Sequence, residues 1–248
     1  MTELSEGVTG PAAPPEPPMP EAHHRDVRGG AARAAVFGIS DGLVSNVGLI
    51  LGVAGAGPGA GVVRLAGLAG LIAGAVSMAA GEYNSMKVQA ELLERELDME
   101  RLEHRRNPQV ETVELATIYQ SRGMDPDRAR ELATQLMADP ELALQAHARE
   151  ELGIDPGELG SPLAAAGSSC AAFSVGALVP LLPWFVATGT AAIVASMVLA
   201  VVCAVVVGAV VARLADRPLW RGVGRQVAFT VVPAAITFAV GSAVGVGV

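Results

Sequence analysis

An aspartate deep in an apolar run is the first residue that demands a role. Asp41 lies in "GISDGLVSN", about eight residues into a stretch of small and aliphatic side chains. A carboxylate inside a membrane span is costly unless it faces a cavity, a partner or an ion, so function is the default reading; a helix broken at Gly42 or an interfacial position is the plain one. Ser45 and Asn46 follow it by four and five residues and offer further oxygens along the same helix. Met78 and Glu82, four apart, share a helix face. A thioether is a soft donor suited to late transition metals, although a single Met in a membrane is also good packing material. Glu82 falls near the interface, where its charge costs little.

A second set lies further on. Glu100 and Glu103 are three apart, and Glu111 and Glu114 repeat that spacing after "NPQ". His147 and Glu151 are four apart, with Glu150 beside the latter. Each pair can aim two side chains at one point. Carboxylates with an imidazole suit Fe2+, Mn2+ or Zn2+. The plain alternative is a solvated face, since "ERELDMERLEHRR" alternates its charges and can form i,i+4 ion pairs. Met78 and Glu100 are 22 residues apart, which in one continuous helix is about 33 Å, so the two sets are separate stations.

The elements that must position these residues follow from composition. Of the chain's 248 residues, 51% are hydrophobic and only 17% charged, with a mean hydropathy of +0.44. Soluble domains carry about 25% charge, so this is a membrane composition. Five segments approach the roughly 20 apolar residues that a bilayer core requires: about 33–56, 62–86, 162–182, 187–212 and 223–247. No proline lies between residues 73 and 103, so the second segment reads as one helix running out of the membrane into charge.

The organisation read from this is a disordered Pro-rich tail at 1–28, two spans in 29–86, a charged helical insertion at 87–160 and three spans in 161–248. The fold class is an all-α membrane protein with a cytoplasmic three-helix insertion between its second and third spans. In the insertion, Val110, Val113 and Ile118 mark the apolar face of the first helix. Asp125 with Pro126 starts the second, and Pro140 the third. Pro180 and Pro183, in "GALVPLLPW", free carbonyls and bend the end of the third span. Arg25, Arg28, Arg33, the insertion and Arg213, Arg217, Arg221 and Arg225 fall on one side, against Arg64 on the other. The positive-inside rule then places the amino terminus and the insertion in the cytoplasm.

Several classes drop out. A formal charge of −8 argues against nucleic acid. Cys170 and Cys203 both sit in apolar runs and suit packing better than a disulfide or metal site. No phosphate loop or nucleophile–base set supports ATP drive or covalent catalysis.

Taken together, "SDGL" at 40–43, "SM" at 77–78, "GEY" at 81–83, "REL" at 95–97, the glutamate pairs, "EELG" at 150–153 and "PLLPW" at 180–184 resemble the vacuolar iron transporter family. The resemblance covers residues 36–184. It implies a five-helix homodimer in membrane lipid that exports Fe2+, often with Mn2+, in exchange for protons. It places Asp41 and Met78 on the translocation path. It makes Glu100, Glu103, Glu111, Glu114 and Glu151 the ligands of a cytoplasmic metal-binding domain. Two positions depart from the family pattern. Gly70 stands where plant-like members carry a glutamate, which leaves Glu82 as the substitute carboxylate. His147 and Ala148 stand where such members place methionines, which makes the site harder and more pH-sensitive.

The expectation is therefore a transporter, not an enzyme. It has no permanently bound cofactor, and Fe2+ or Mn2+ is its cargo, with Zn2+ a further candidate. Alanine, glycine and arginine usage suggests a bacterial inner membrane. The alternatives are a membrane-tethered ferroxidase, whose usual Glu-x-x-His pairing is missing, and a metal-sensing membrane protein.

Overall fold

The computed structural model describes residues 30–153 and 160–245. The Pro-rich tail assigned to 1–28 lies outside the described residues. The order is α1 (Gly30–Gly55), α2 (Ala60–Arg106), α3 (Pro108–Ser121), α4 (Pro126–Met137), α5 (Pro140–Glu150), α6 (Pro162–Leu178), a 3-10 turn (Val179–Phe185), α7 (Gly189–Leu214) and α8 (Leu219–Gly245). No strand occurs among the described residues. Five stretches are long and apolar enough to cross a membrane: Arg33–Gly55, Ala60–Arg106, Pro162–Phe185, Gly189–Leu214 and Leu219–Gly245.

Helix α1 is the axis of the bundle, packed against α6, α8, α2 and α7. Its Leu43, Val47 and Leu51 bury against Ala200 and Ala204 of α7 and Ala234 of α8. Its Ile50 and Ala54 bury against Val63, Leu181, Trp184 and Ala192. Lipid tails are as apolar as these side chains, so close packing, not water exclusion, must hold the helices together. The chain achieves it with small residues. A Cβ on Gly42 would collide with the backbone carbonyl of Phe173, and one on Gly176 with that of Ile39. Gly241 meets the backbone at Gly52 in the same way, bringing α8 onto α1.

The prolines at the end of the third span tighten the chain into a 3-10 turn. Pro183 has no N–H for the carbonyl of Pro180 three residues earlier. Ser196 Oγ on α7 donates to that carbonyl instead, at 2.7 Å and buried. A freed backbone acceptor is thereby paired inside the bundle, as hydrocarbon surroundings require.

Helix α2 runs 47 residues without a break, about 70 Å at 1.5 Å per residue. Its outer face shows Leu65, Leu68, Ile72 and Val76. It ends at Asn107, where Pro108 opens α3. Asp125 caps α4, accepting from the backbone of Asp127 and Arg128, and Asp139 caps α5, accepting from Glu141 and Leu142. Leu115, Ala116 and Ala133 form the small core of the inserted unit. Leu97 on α2 meets Leu144 and Ala148 on α5.

One expectation is corrected here. Val110 and Val113 are exposed, not buried. The inward face of α3 carries Glu111, Leu115 and Ala116, so a carboxylate occupies the place that periodicity reserved for valine.

Replacing Gly42 with Leu should push α1 off α6, and overpacking of this kind costs about 1–3 kcal/mol. Gly81, by contrast, has nothing within 4 Å of a built Cβ. Gly81→Ala should stabilise the helix by about 0.5–1 kcal/mol. Thermal unfolding in detergent reads both, and equal effects would remove the glycine contact as the organiser of the bundle.

Candidate functional site

Helices α1, α2 and α6 enclose a cavity of about 220 Å3. From α1 come Asp41, Ser45, Asn46 and Leu49; from α2 come Gly70, Gly74, Ser77 and Met78; from α6 comes Phe173. The rows follow helical spacing. Asp41, Ser45 and Leu49 repeat every four residues, as do Gly70, Gly74 and Met78. The glycines make the space: a Cβ on Gly74 would run into the Phe173 ring, and one on Gly70 would lie 2.9 Å from Asn46 Oδ1.

Asn46 is held in one orientation. Its Nδ2 donates to the carbonyl of Ala177 at 2.6 Å, which fixes the other side of the amide. Asn46 Oδ1 is buried and has no hydrogen-bond partner. An unpaired buried oxygen is costly, and a cation in the cavity would satisfy it. Ser45 Oγ donates to the backbone carbonyl of Asp41 at 2.6 Å, leaving its lone pairs free. Met78 packs with Leu71 and Cys170 against Ala75, Phe173 and Ala177. Asp41, Ser45, Asn46 and Met78 are thus brought together. Glu82 continues the α2 row but does not line the cavity. It forms an ion pair with Arg33 at 3.3 Å. Cys170 and Cys203 are free thiols.

The second constellation lies where α2, α3 and α5 meet. Glu100 and His104 of α2, Glu111 of α3 and His147 of α5 each offer one donor atom, all within 4.8 Å of one another. Glu100, Glu111 and His147 are buried, His147 completely. The sequence reading missed His104. Its signal was the i,i+4 spacing from Glu100, absorbed there into a run of alternating charges. Glu103, Glu114 and Glu151 are exposed around this group. Glu150 is turned away, paired through its carboxylate with Arg122, whose guanidinium also donates to the Glu150 carbonyl at 3.1 Å.

The protons of the cluster can be placed. His147 Nδ1 is 3.1 Å from the carbonyl of Ala143, which can only accept, so Nδ1 carries the hydrogen. His104 Nε2, 3.1 Å from the same Nδ1, is then an acceptor. His104 Nε2 stands 2.9 Å from Glu100 Oε1, and His147 Nε2 stands 3.9 Å from Glu111 Oε2. Glu100 Oε1 and His147 Nε2 have no hydrogen-bond partner. His104 Nε2 and His147 Nε2 thus each face a carboxylate oxygen, an arrangement that a shared carboxyl proton or a bound cation relieves.

Burial, and then the neighbouring carboxylates against the pull of His147, push Glu100 up to about 7. Burial and the nearby His147 push His104 down to about 4. Glu111 and Glu151 are also raised, first by burial and then chiefly by Glu114.

These shifts set a pH dependence for the inserted unit without metal. Glu100 has a folded value above its ordinary 4.5; its contribution is complete below 4.5 and is lost as pH rises through about 7. His104 has a folded value below its ordinary 6.5; its contribution is present above 6.5 and is lost as pH falls towards 4. Between about 4.5 and 6.5 the two contributions oppose and nearly cancel, so hydrogen-exchange protection of α3 and α5 in chelator, corrected for intrinsic exchange rates, should be nearly level there and fall only beyond that window. Glu100→Gln should remove the alkaline loss, and a bound divalent cation should do the same by replacing the proton. Protection in Glu100→Gln that still falls as pH rises to about 8 in chelator would contradict the assignment.

Comparison with known proteins places these features. The chain is 44% identical over 161 residues to a vacuolar iron transporter of Acanthamoeba castellanii, a match covering 64% of this chain and 58% of that protein. It is 36% identical over 169 residues to vacuolar iron transporter 2 of Oryza sativa subsp. japonica, covering 68% and 69%. It is 30% identical over 200 residues to vacuolar iron transporter 1 of Arabidopsis thaliana, covering 79% and 80%. A family profile described as the VIT family matches residues 32–242, from the first span into the fifth and through both constellations; the chain belongs to the VIT family.

Proposed function

We propose that this chain is a proton-coupled secondary transporter that moves Fe2+, and also Mn2+, out of the cytoplasm. The observation that carries the reading is the cavity in which the Asp41 carboxylate, the Met78 thioether and the unpartnered Asn46 oxygen line one space within membrane-length helices. A mixed oxygen and sulfur donor set suits a late first-row divalent ion better than an alkali or alkaline-earth ion. The names of the relatives support iron as cargo.

In the mechanism, Asp41 is the group for which ion and proton compete. Protonation removes the carboxylate's charge and a coordinating lone pair together, so a proton arriving from the far side releases the ion. The inserted unit lies in the cytoplasm, where the Lys and Arg bias puts it. Its exposed Glu103, Glu114 and Glu151 attract hydrated cations, and Glu100, His104, Glu111 and His147 hold one. Glu82, one turn beyond Met78 on α2 and paired with Arg33, is the last carboxylate before the cavity.

The working unit is a homodimer. Ser45 and Ser77 are exposed where the cavity opens, and polar groups facing hydrocarbon call for a cover that a second copy supplies. The membrane is proposed to be a bacterial inner membrane, on composition.

Proteoliposomes with an imposed pH gradient test the reading. Gradient-driven Fe2+ uptake is expected, and Asp41→Ala should lower it by about tenfold or more, since one ligand contributes at least about 1.4 kcal/mol. Met78→Leu should reduce Fe2+ flux more than Mn2+ flux, because only the softer ion gains from sulfur. Undiminished, gradient-driven flux in Asp41→Ala would remove Asp41 from the path.

A further inference from the structure

The pairing of two imidazoles in the inserted unit decides which ion it keeps. We infer that His104 and His147 make this cluster a nitrogen-bearing site for a borderline divalent cation (Zn2+, Co2+ or Fe2+), held in preference to the oxygen-seeking Mn2+, Mg2+ and Ca2+. The inference rests on reading the cluster as a metal site.

The donor set argues first. Two imidazole nitrogens and two carboxylates match Zn2+ and its neighbours, whereas Mg2+, Ca2+ and Mn2+ favour carboxylate, carbonyl and water. The lone pairs argue second. His147 gives its Nδ1 hydrogen to the carbonyl of Ala143, the backbone contact that fixes a ligating imidazole and leaves Nε2 bare. That bare Nε2 is fully buried and unpartnered. His104 Nε2 faces Glu100 Oε1 at 2.9 Å.

Dryness argues third. Hard octahedral ions keep several waters and need room for them. Here three of the four donor residues are buried and the fourth is half-buried. A four-coordinate ion with bonds of about 2.0–2.2 Å needs donors about 3.4 Å apart. The donor pairs His104–Glu100 and His147–Glu111 stand at 2.9 and 3.9 Å, on either side of that spacing, and all four donor atoms lie within 4.8 Å of one another. The ligands also come from α2, α3 and α5, whose apolar contacts are small: Leu97 with Leu144 and Ala148, and Ala146 against Leu115 and Ala116. A bound ion would tie the three helices together.

Cobalt reports the outcome in its colour. Purified full-length protein in detergent is titrated with Co2+ and followed by visible absorption. Expected is the intense spectrum of four-coordinate Co2+, bleached by one equivalent of Zn2+ and resistant to a large excess of Mn2+. His104→Gln and His147→Gln should each weaken Co2+ binding by about tenfold or more. Wild-type protein loaded with Co2+ should also show paramagnetically shifted imidazole N–H resonances in proton NMR, a readout that does not depend on a variant folding. A weak six-coordinate spectrum without shifted imidazole signals, or equal competition by Mn2+, would overturn the nitrogen-site inference while leaving an oxygen-ligand metal site standing. No binding of Co2+, Fe2+ or Mn2+ to the insertion would overturn the metal-site reading itself. Neither result depends on flux through Asp41 and Met78.

Discussion

The structure depends on how closely the backbone of α1 approaches its neighbours. Gly42 and Gly176 let α1 and α6 touch through main-chain atoms, and Gly52 with Gly241 does the same for α1 and α8. In lipid, such contact replaces the hydrophobic drive that builds a soluble core. It also fixes the rotation of α1. The same rotation that sets Leu43, Val47 and Leu51 into α7 and α8 turns Asp41, Ser45 and Asn46 towards α2. A polar row can then exist inside an apolar helix because every other side of that helix is occupied.

Around this axis, polar groups are paired by single, specific bonds. Ser196 satisfies the carbonyl of Pro180, Ala177 fixes Asn46, and Ala143 fixes His147. In the last two cases the pairing is incomplete. One atom of each side chain is satisfied, and the other, Asn46 Oδ1 or His147 Nε2, is left bare and buried. Both bare atoms are acceptors, and both lie within the two constellations. The chain thus concentrates unmet negative potential where a cation is proposed to stop.

Much of the fold was legible in the sequence because its causes are local. Hydropathy over about 20 residues marks a span, and the five predicted spans coincide with five membrane-length helices. Asp125 before Pro126 is a cap by residue type alone, and it caps α4. The absence of proline from 73 to 103 announced the long α2. Details set by contacts between distant segments were not legible. Arg33 and Glu82 are 49 positions apart, and nothing near either names the other. Glu150 shares the "EELG" motif with Glu151, yet Arg122 draws it aside. Val110 and Val113 satisfied periodicity, but the inward position went to Glu111, because His147 on another helix is there to meet it. His104 was hidden by its company: among alternating charges an imidazole reads as one more solvated group.

The unbroken length of α2 has a consequence in angle as well as in distance. Each residue turns the helix by about 100°. Met78 and Glu100 are therefore only about 40° apart in azimuth after six full turns. Cavity and cluster look out from nearly the same side of one shaft. A single residue gained or lost between them would keep both constellations intact and still rotate one by about 100° relative to the other. The tolerance of this segment to change is thus a matter of phase: substitutions are cheap, but its residue count is fixed.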